Sequence, residues 1–275
     1  MNDRSGVDYA LGYSDAEFQR LIRQSEFYAE FTEDVLRRAG FKPGMRVLDI
    51  GCGAGDVSLL AARMVGPAGS VTGVDKSPES LQLARRRAEQ EGFRHMRFIQ
   101  ADLNELDLTD SFDALIGRFV LIFLPDPSAV LQRAARHIRD GGVIAFQEMD
   151  ISHSRTMPLD LPLWRQQGEW IKTAFQRAGV DVQMGSKLHA VFRGAGLPAP
   201  HMNLHARIGG ADSFNPDYAT AISAAMLPVM ERLGVATRAE VKIETLAARL
   251  REELISRDGI SILPSIIGAW TQKPG

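Results

Sequence analysis

The chain has one cysteine, Cys52, among 275 residues. An internal disulfide is therefore excluded, which fits a reducing cytoplasm. No apolar run approaches the roughly 18 residues needed to span a bilayer. The start, Met1-Asn2-Asp3-Arg4-Ser5-Gly6, also lacks the apolar stretch of a secretion signal. A cytoplasmic protein without membrane association is expected. Charge of one sign is scarce too: the formal net charge is −2. The densest basic run is Arg85-Arg86-Arg87, whose simplest meaning is a solvated helix face. Without a long Lys/Arg block, a nucleic-acid partner is not expected. No Cys/His cluster has metal-ligand spacing, so no metal is expected. Internal repeats, low-complexity tracts and an obvious linker are missing as well. What is left, 45% hydrophobic and 24% charged residues, is ordinary for a soluble globular protein with a sizeable core.

One stretch organises the chain. Met45 to Ile50 reads as a short buried strand that breaks into Gly51-Cys52-Gly53-Ala54-Gly55. A helical pattern follows to about Val65, with Val57, Leu59, Leu60, Ala61 and Met64 on its apolar positions. Strand, glycine turn and helix open a βαβ unit whose loop can approach a nucleotide-like ligand closely. Cys52 reads as a small residue between loop glycines rather than as a nucleophile.

Before this stretch, Ser14-Asp15-Ala16-Glu17 has the capping-box pattern. Phe18, Leu21, Ile22, Phe27, Phe31, Val35 and Leu36 then mark helix up to Gly40. Residues 1–40 are expected to form an N-terminal helical cap. From Met45 the rhythm is strand, helix, strand. Strands are expected at Ser70–Asp75, His95–Ala101, within Phe112–Leu124, and at Val143–Met149, separated by helices. That alternation predicts a doubly wound parallel α/β sheet, a ligand-binding core over 41–150. Residues 151–196, with Trp164, Trp170 and Phe175 on helical periods, are expected to be a helical lid. Residues 197–275 are expected to complete the sheet, with inserted helices. Those late helices, 215–257, either shape the pocket or join copies of the chain, and a homodimer is left open.

Three aspartates repeat in register. Asp49, Asp75 and Asp102 end successive strands at separations of 26 and 27 residues, one βα unit each. In a doubly wound sheet such positions line the crevice outside the strand ends. Each is separately explicable as a turn former or helix cap; together with the glycine loop they point to a shared ligand. Asp75 is placed to accept from ribose hydroxyls, and Asp102 from an exocyclic adenine amine. Asp49 beside the loop repels a pyrophosphate but suits an ammonium or sulfonium. The dinucleotide fingerprint fails, since its third glycine is Asp56. An adenosyl ligand with positive charge and no phosphate fits better than NAD.

Asp49-x-Gly51-x-Gly53-x-Gly55, Gly73-Val74-Asp75 and Gln100-Ala101-Asp102 together resemble the successive motifs of class I S-adenosylmethionine-dependent methyltransferases. Phe112-Asp113-Ala114-Leu115 resembles the family's entry to strand four, and Arg139-Asp140-Gly141-Gly142-Val143 its glycine turn before strand five. The likeness covers about residues 40–150 and is nearest to the ubiquinone/menaquinone-biosynthesis-like group acting on small molecules. It implies a Rossmann-like seven-stranded sheet with the last strand antiparallel, a place Ile260–Thr271 can fill. It also implies S-adenosyl-L-methionine as methyl donor, with S-adenosyl-L-homocysteine as product. On that resemblance Gly51, Cys52, Gly53 and Gly55 meet the methionine part of the donor. Asp75 meets the ribose with Lys76 beside it, Asp102 and Leu103 frame the adenine, and Arg118 and Phe119 lie beneath. Gln24 is an expectation for the methionine carboxylate, its alternative being a solvated helix position.

Methyl transfer is an in-line displacement that alignment and desolvation accelerate. A base is needed only where the acceptor must lose a proton. Glu148, at the end of strand five near Asp150, and His153 are the expected catalytic groups. Their alternatives are a strand-end residue bonded to backbone and a solvated loop histidine. The Asn-Pro-Pro-Tyr motif of base and amide methylation is absent; strand four ends Gly117-Arg118-Phe119-Val120. The expected reaction is methyl transfer to a small molecule, with O, N and C acceptors undistinguished. The rival readings are an NAD(P)-dependent oxidoreductase and a donor-binding protein that does not methylate.

Overall fold

The computed structural model describes residues 15–151 and 160–275, with side chains from residue 27 onward. The chain forms two compact units that are interleaved in sequence. The first contains residues 21–148, 185–203 and 267–275; the second is built around 160–184 and 204–266. The divisions at 40, 150 and 196 that chain order suggests are therefore not the divisions of contact.

The first unit is the sheet. Its strands are β1 (Arg46–Ile50), β2 (Ser70–Asp75), β3 (Met96–Gln100), β4 (Phe112–Arg118), β5 (Ile138–Asp150), β6 (His201–His205) and β9 (Ser265–Gln272). They lie in the order β3-β2-β1-β4-β5-β9-β6, with β9 inserted antiparallel. β1 pairs in parallel with β2 (Val47↔Val71) and with β4 (Val47↔Ala114). On one face, Val47, Ala114, Ile116 and Ala145 pack against helix α1 (Asp15–Ala39) through Val35, Leu36 and Ala39. Helix α2 (Asp56–Val65) adds Val57, Ala61 and Ala62 to the same cluster. Each fully buried branched aliphatic contributes about 1.5–3 kcal/mol. The last two turns of α1 are thus part of the sheet's core. Helices α3 (Pro78–Gln90) and α4 (Pro127–Ala135) start as their sequences dictate: Ser77 and Asp126 cap them and Pro stands at the first position. The opposite face carries Phe146, edge-on to Phe192 of helix α6 (Met184–Gly194).

Strand β5 departs from expectation. Asp140-Gly141-Gly142 is not a turn before the strand but a bulge inside it. Phe112 pairs with Ile138 and Ala114 with Val143, so the register jumps across Asp113. Asp113 holds the bulge, accepting from the Arg139 side chain at 2.8 Å and from the Arg46 backbone N–H at 2.7 Å.

The second unit is helical. Helix α5 (Pro162–Arg177) packs with α7 (Asn215–Arg232) and α9 (Ile243–Ser256). The Trp164 indole N–H donates to the Leu250 carbonyl at 3.1 Å. Glu253 accepts from the Leu163 and Trp164 backbone N–H groups, closing the first turn of α5. Trp164 therefore serves packing. A capping box at Thr237 and Glu240 starts the single-turn α8 (Arg238–Val241). Lys242, in the left-handed region at φ 50°, separates α8 from α9. The expected strand 260–271 is divided at Pro264. Its first part, β8 (Ser261–Ile262), pairs antiparallel with β7 (Ile208–Gly209), and only β9 enters the large sheet.

Candidate functional site

The glycine loop joins β1 to α2 at the C-terminal edge of the sheet. Gly51 has φ 63° and a Cβ there would stand 2.3 Å from Val120 Cγ2. Gly53, at φ 52°, has nothing within 4 Å of its Cβ position. One glycine is demanded by packing against the turn after β4; the other leaves an open cradle. Cys52 is buried beside Gly73, and burial pushes its thiol well above the ordinary range, which makes it a poor nucleophile.

The aspartates flank this loop. Asp75, half-buried at the end of β2, accepts from the Gly53 N–H through Oδ2 at 2.8 Å. Its Oδ1 accepts from the Ser77 N–H at 2.9 Å. A carboxylate oxygen has two lone pairs, so each still has one to offer outward. Asp102 is exposed after β3; its Oδ1 caps the short turn Leu103–Glu105 by accepting from Asn104 N at 2.8 Å. Leu103 is buried beside it, and Lys76 is exposed. Asp49 is different. It is fully buried and accepts from Ser58 Oγ at 2.5 Å. Burial pushes its carboxyl up to about 7, opposed by Ser58 and the Arg118 charge and reinforced by Asp75 and Asp56.

After β4 the chain makes a strained turn. Phe119 sits at φ 55°, a conformation costing about 1–2 kcal/mol in an L-residue. Its N–H donates to the Gln147 carbonyl at 3.0 Å. Its ring meets Tyr28 edge-on at 5.7 Å, and the Arg118 guanidinium lies 5.5 Å from the ring centre. Arg118 also donates to Thr32 Oγ1, which donates to Gln147 Oε1 at 2.7 Å. Glycine loop, Asp49, Asp75, Asp102, Arg118 and Phe119 all occupy the C-terminal strand ends, where open α/β sheets bind ligands.

The family described as Methyltransferase domain matches residues 41–196. The chain belongs to that family. Aklanonic acid methyltransferase DauC of Streptomyces sp. (strain C5) is 35% identical over 141 residues, 51% of this chain and 63% of that protein. Demethylmenaquinone methyltransferase of Geobacillus kaustophilus is 32% identical over 122 residues, 44% of this chain and 52% of that protein. The chain thus spans about half to just under two thirds of these curated relatives. Among solved structures, Haemonchus contortus phosphoethanolamine N-methyltransferase 2, in complex with phosphomonomethylethanolamine and S-adenosylhomocysteine, superposes with a TM-score of 0.55 at 18% identity. The match covers 90% of this chain and 53% of that one.

In this methyltransferase domain the expected catalytic pair is placed as follows. Glu148 is fully buried and turned to backbone: Oε1 accepts from Val120 N at 3.0 Å and Leu121 N at 2.8 Å. Of the two readings of Glu148, the strand-end residue bonded to backbone is the one the geometry matches. His153 lies outside the described residues, as does the capping box at Ser14. Gln24 lies in α1, but its side chain is outside the described ones.

Three site residues were not anticipated. Ser58 faces Asp49 because it lies on the buried side of α2, a polar exception in an apolar stripe. Gln147, 2% exposed, leaves its Nε2 without a partner. Arg87 is not simply a solvated residue: its Nη1 donates to the Ala54 carbonyl at 2.7 Å and to Asp56 Oδ1 at 2.6 Å, pinning the loop's far end. Among the described residues no group of three or more His, Cys, Asp or Glu is placed to hold a metal ion. None of the described helices is long and apolar enough to cross a membrane.

Proposed function

We infer that this methyltransferase domain binds S-adenosylmethionine at the C-terminal strand ends and transfers its methyl group to a small-molecule acceptor. The observation that carries the reading is the open cradle at Gly53, tied by its own N–H to Asp75. The residues fit the donor's chemistry. Asp75 puts a carboxylate on the loop itself, while burial raises Asp49 to about 7 and Arg87 pairs with Asp56. The methyltransferase-domain match over residues 41–196 is what speaks against the NAD(P) alternative. Asp75 would take the ribose through its outward lone pairs, with Lys76 beside it. Asp102 and Leu103 would frame the adenine, and Gly51, Cys52, Gly53 and Gly55 the methionine part. Arg118 and Phe119 would lie beneath, and Gln24 remains the proposed contact for the carboxylate.

Bound, the donor supplies an electrophilic methyl group on a sulfonium. The chain's own contribution is to hold that group in line and to keep water out. The acceptor class follows the named relatives, whose acceptors are small molecules. A nucleic-acid partner has no support in the charge distribution, and the single buried cysteine suits the cytoplasm.

Calorimetric titration tests the reading. S-adenosylhomocysteine is expected to bind, with affinity unchanged after exhaustive chelation, while NAD(H) does not. Labelled donor with a metabolite panel then identifies the acceptor. Binding of NAD(H) in place of S-adenosylhomocysteine overturns the assignment.

A further inference from the structure

We propose that Glu148 is a positioning residue for the donor, acting through the backbone of the turn after β4 rather than as a base. The inference rests on the reading of the strand ends as the donor site. A base must come within hydrogen-bond reach of the proton it removes. Glu148 has no exposed surface, and its second oxygen, Oε2, is buried without a partner. Its first oxygen instead gathers two successive backbone N–H groups, those of Val120 and Leu121.

What that carboxyl holds is mechanically connected to the glycine loop. The Val120 side chain fills the space left by two glycines. A Cβ on Gly51 would meet it at 2.3 Å and one on Gly117 at 2.9 Å. Gly51 is the first loop glycine, so its place depends on where Val120 stands. Val120 in turn follows Phe119, whose left-handed conformation persists only if its surroundings impose it. The Phe119 N–H is fixed to Gln147 O and the next two N–H groups to Glu148. Two consecutive residues of β5 thus fix three consecutive N–H groups of the turn that supports the loop. Accepting these bonds needs no negative charge. Burial pushes the Glu148 carboxyl up to about 8 against the pull of the Leu121, Val120 and Ile122 N–H groups, so the neutral acid already prevails at pH 7.

The test compares S-adenosylhomocysteine affinity in Glu148→Gln, Glu148→Asp and Glu148→Ala, with thermal unfolding of each. Gln keeps the reach and one acceptor oxygen without the acid; Asp keeps the acid but is one methylene short. Positioning predicts affinity within about threefold of wild type for Gln, and on the order of tenfold weaker for Asp and Ala, as two backbone N–H groups lose their partner. Wild-type affinity in Glu148→Asp overturns the proposal, even if its unfolding temperature falls, because the carboxyl then only stabilises. Loss of affinity in Glu148→Gln to the level of Asp overturns it as well. Should Ala fail to fold, the Gln and Asp variants decide. If the wild-type protein itself does not bind S-adenosylhomocysteine, it is the donor reading that fails, a result distinct from either of these.

Discussion

The carboxylates of this site fall into two kinds, and the sheet separates them. Asp75 and Asp102, at the end of β2 and after β3, are half-buried or exposed and keep acceptor capacity beyond their backbone bonds. Asp49 and Glu148, near the ends of β1 and β5, are fully buried; one oxygen of Asp49 is turned to Ser58 and one of Glu148 to the turn backbone. The same residue chemistry therefore does two jobs. At the rim a carboxylate presents acceptors to a ligand; inside, it sets the position of the chain that supports the ligand. Desolvation draws the line, raising the inner pair towards neutrality.

The first two loop glycines test that division most severely. Gly51→Ala places a Cβ against Val120 in a left-handed backbone, costing on the order of 2–5 kcal/mol in strain and overpacking. Gly53→Ala meets open space and bears the backbone cost alone, about 1–2 kcal/mol. Urea unfolding should show the larger loss for Gly51→Ala. Titration with S-adenosylhomocysteine should show Gly53→Ala losing far more affinity than its stability loss explains, because the methyl enters the cradle. Equal stability losses would mean that Val120 yields and that the inner turn does not constrain the loop.

At the rim, Asp75→Ala should weaken donor binding by about tenfold to a few hundredfold, since charge-assisted hydrogen bonds are worth about 1.5–3 kcal/mol each. The structure sharpens the expectation for Asp75→Asn. Both carboxylate oxygens already accept from backbone N–H groups, Gly53 on one and Ser77 on the other. An amide must turn its NH2 towards one of them, whichever way it flips. Asn should therefore bind the donor no better than Ala, instead of falling between Ala and wild type. An Asn variant within threefold of wild type would show that at least one of the two backbone bonds does not matter to the site.

The inner pair should make stability fall with rising pH. A carboxyl whose pKa is raised on folding stabilises fully below its unfolded value, which is ordinarily 3.8 for Asp and 4.5 for Glu. That stabilisation is lost as pH rises through about 7 for Asp49 and about 8 for Glu148. The unfolding temperature should thus decline from pH 5 to pH 9, and less steeply in Glu148→Gln, which has no proton to lose. Parallel curves for the two proteins would mean that Glu148 ionises normally in the folded state.

Much of this is legible in the sequence. The glycine loop and the aspartate register are local features, and the βα rhythm fixes where strand ends fall, so the sheet and its rim follow from short-range pattern. Contacts between distant segments were not legible. Nothing near Trp164 announces that its N–H meets Leu250, so two interleaved units could not be read as such. The role of Glu148 was hidden for a related reason: it acts on backbone N–H groups, which carry no sequence signature. The bulge in β5 escaped because Asp140-Gly141-Gly142 is good turn chemistry; only Asp113, in a neighbouring strand, makes it a bulge.

Arg87 offers the smallest effect and a way to measure how firmly rim and loop are joined. Arg85, Arg86 and Arg87 are successive helical residues about 100° apart, so they cannot share one face. Arg87 is the one turned to the loop, bonded to Ala54 O and Asp56, with side chains of Arg87 and Asp56 only 17% and 12% exposed. Arg87→Ala should cost about 1.5 kcal/mol of stability, the low end for a hydrogen bond to a charged group, because the pair is partly exposed. Donor affinity should fall severalfold, since the loop's far end loses its tether while the Gly53–Asp75 bond remains. Lysine keeps the charge, but its flexible ammonium lacks the fixed direction of the guanidinium Nη1 that makes both bonds, so Arg87→Lys should recover only part of the loss. Arg86→Ala, on an exposed position, is the control and should change neither quantity. If Arg87→Ala matches that control in unfolding and in S-adenosylhomocysteine titration, the loop is held by Asp75 and Val120 alone.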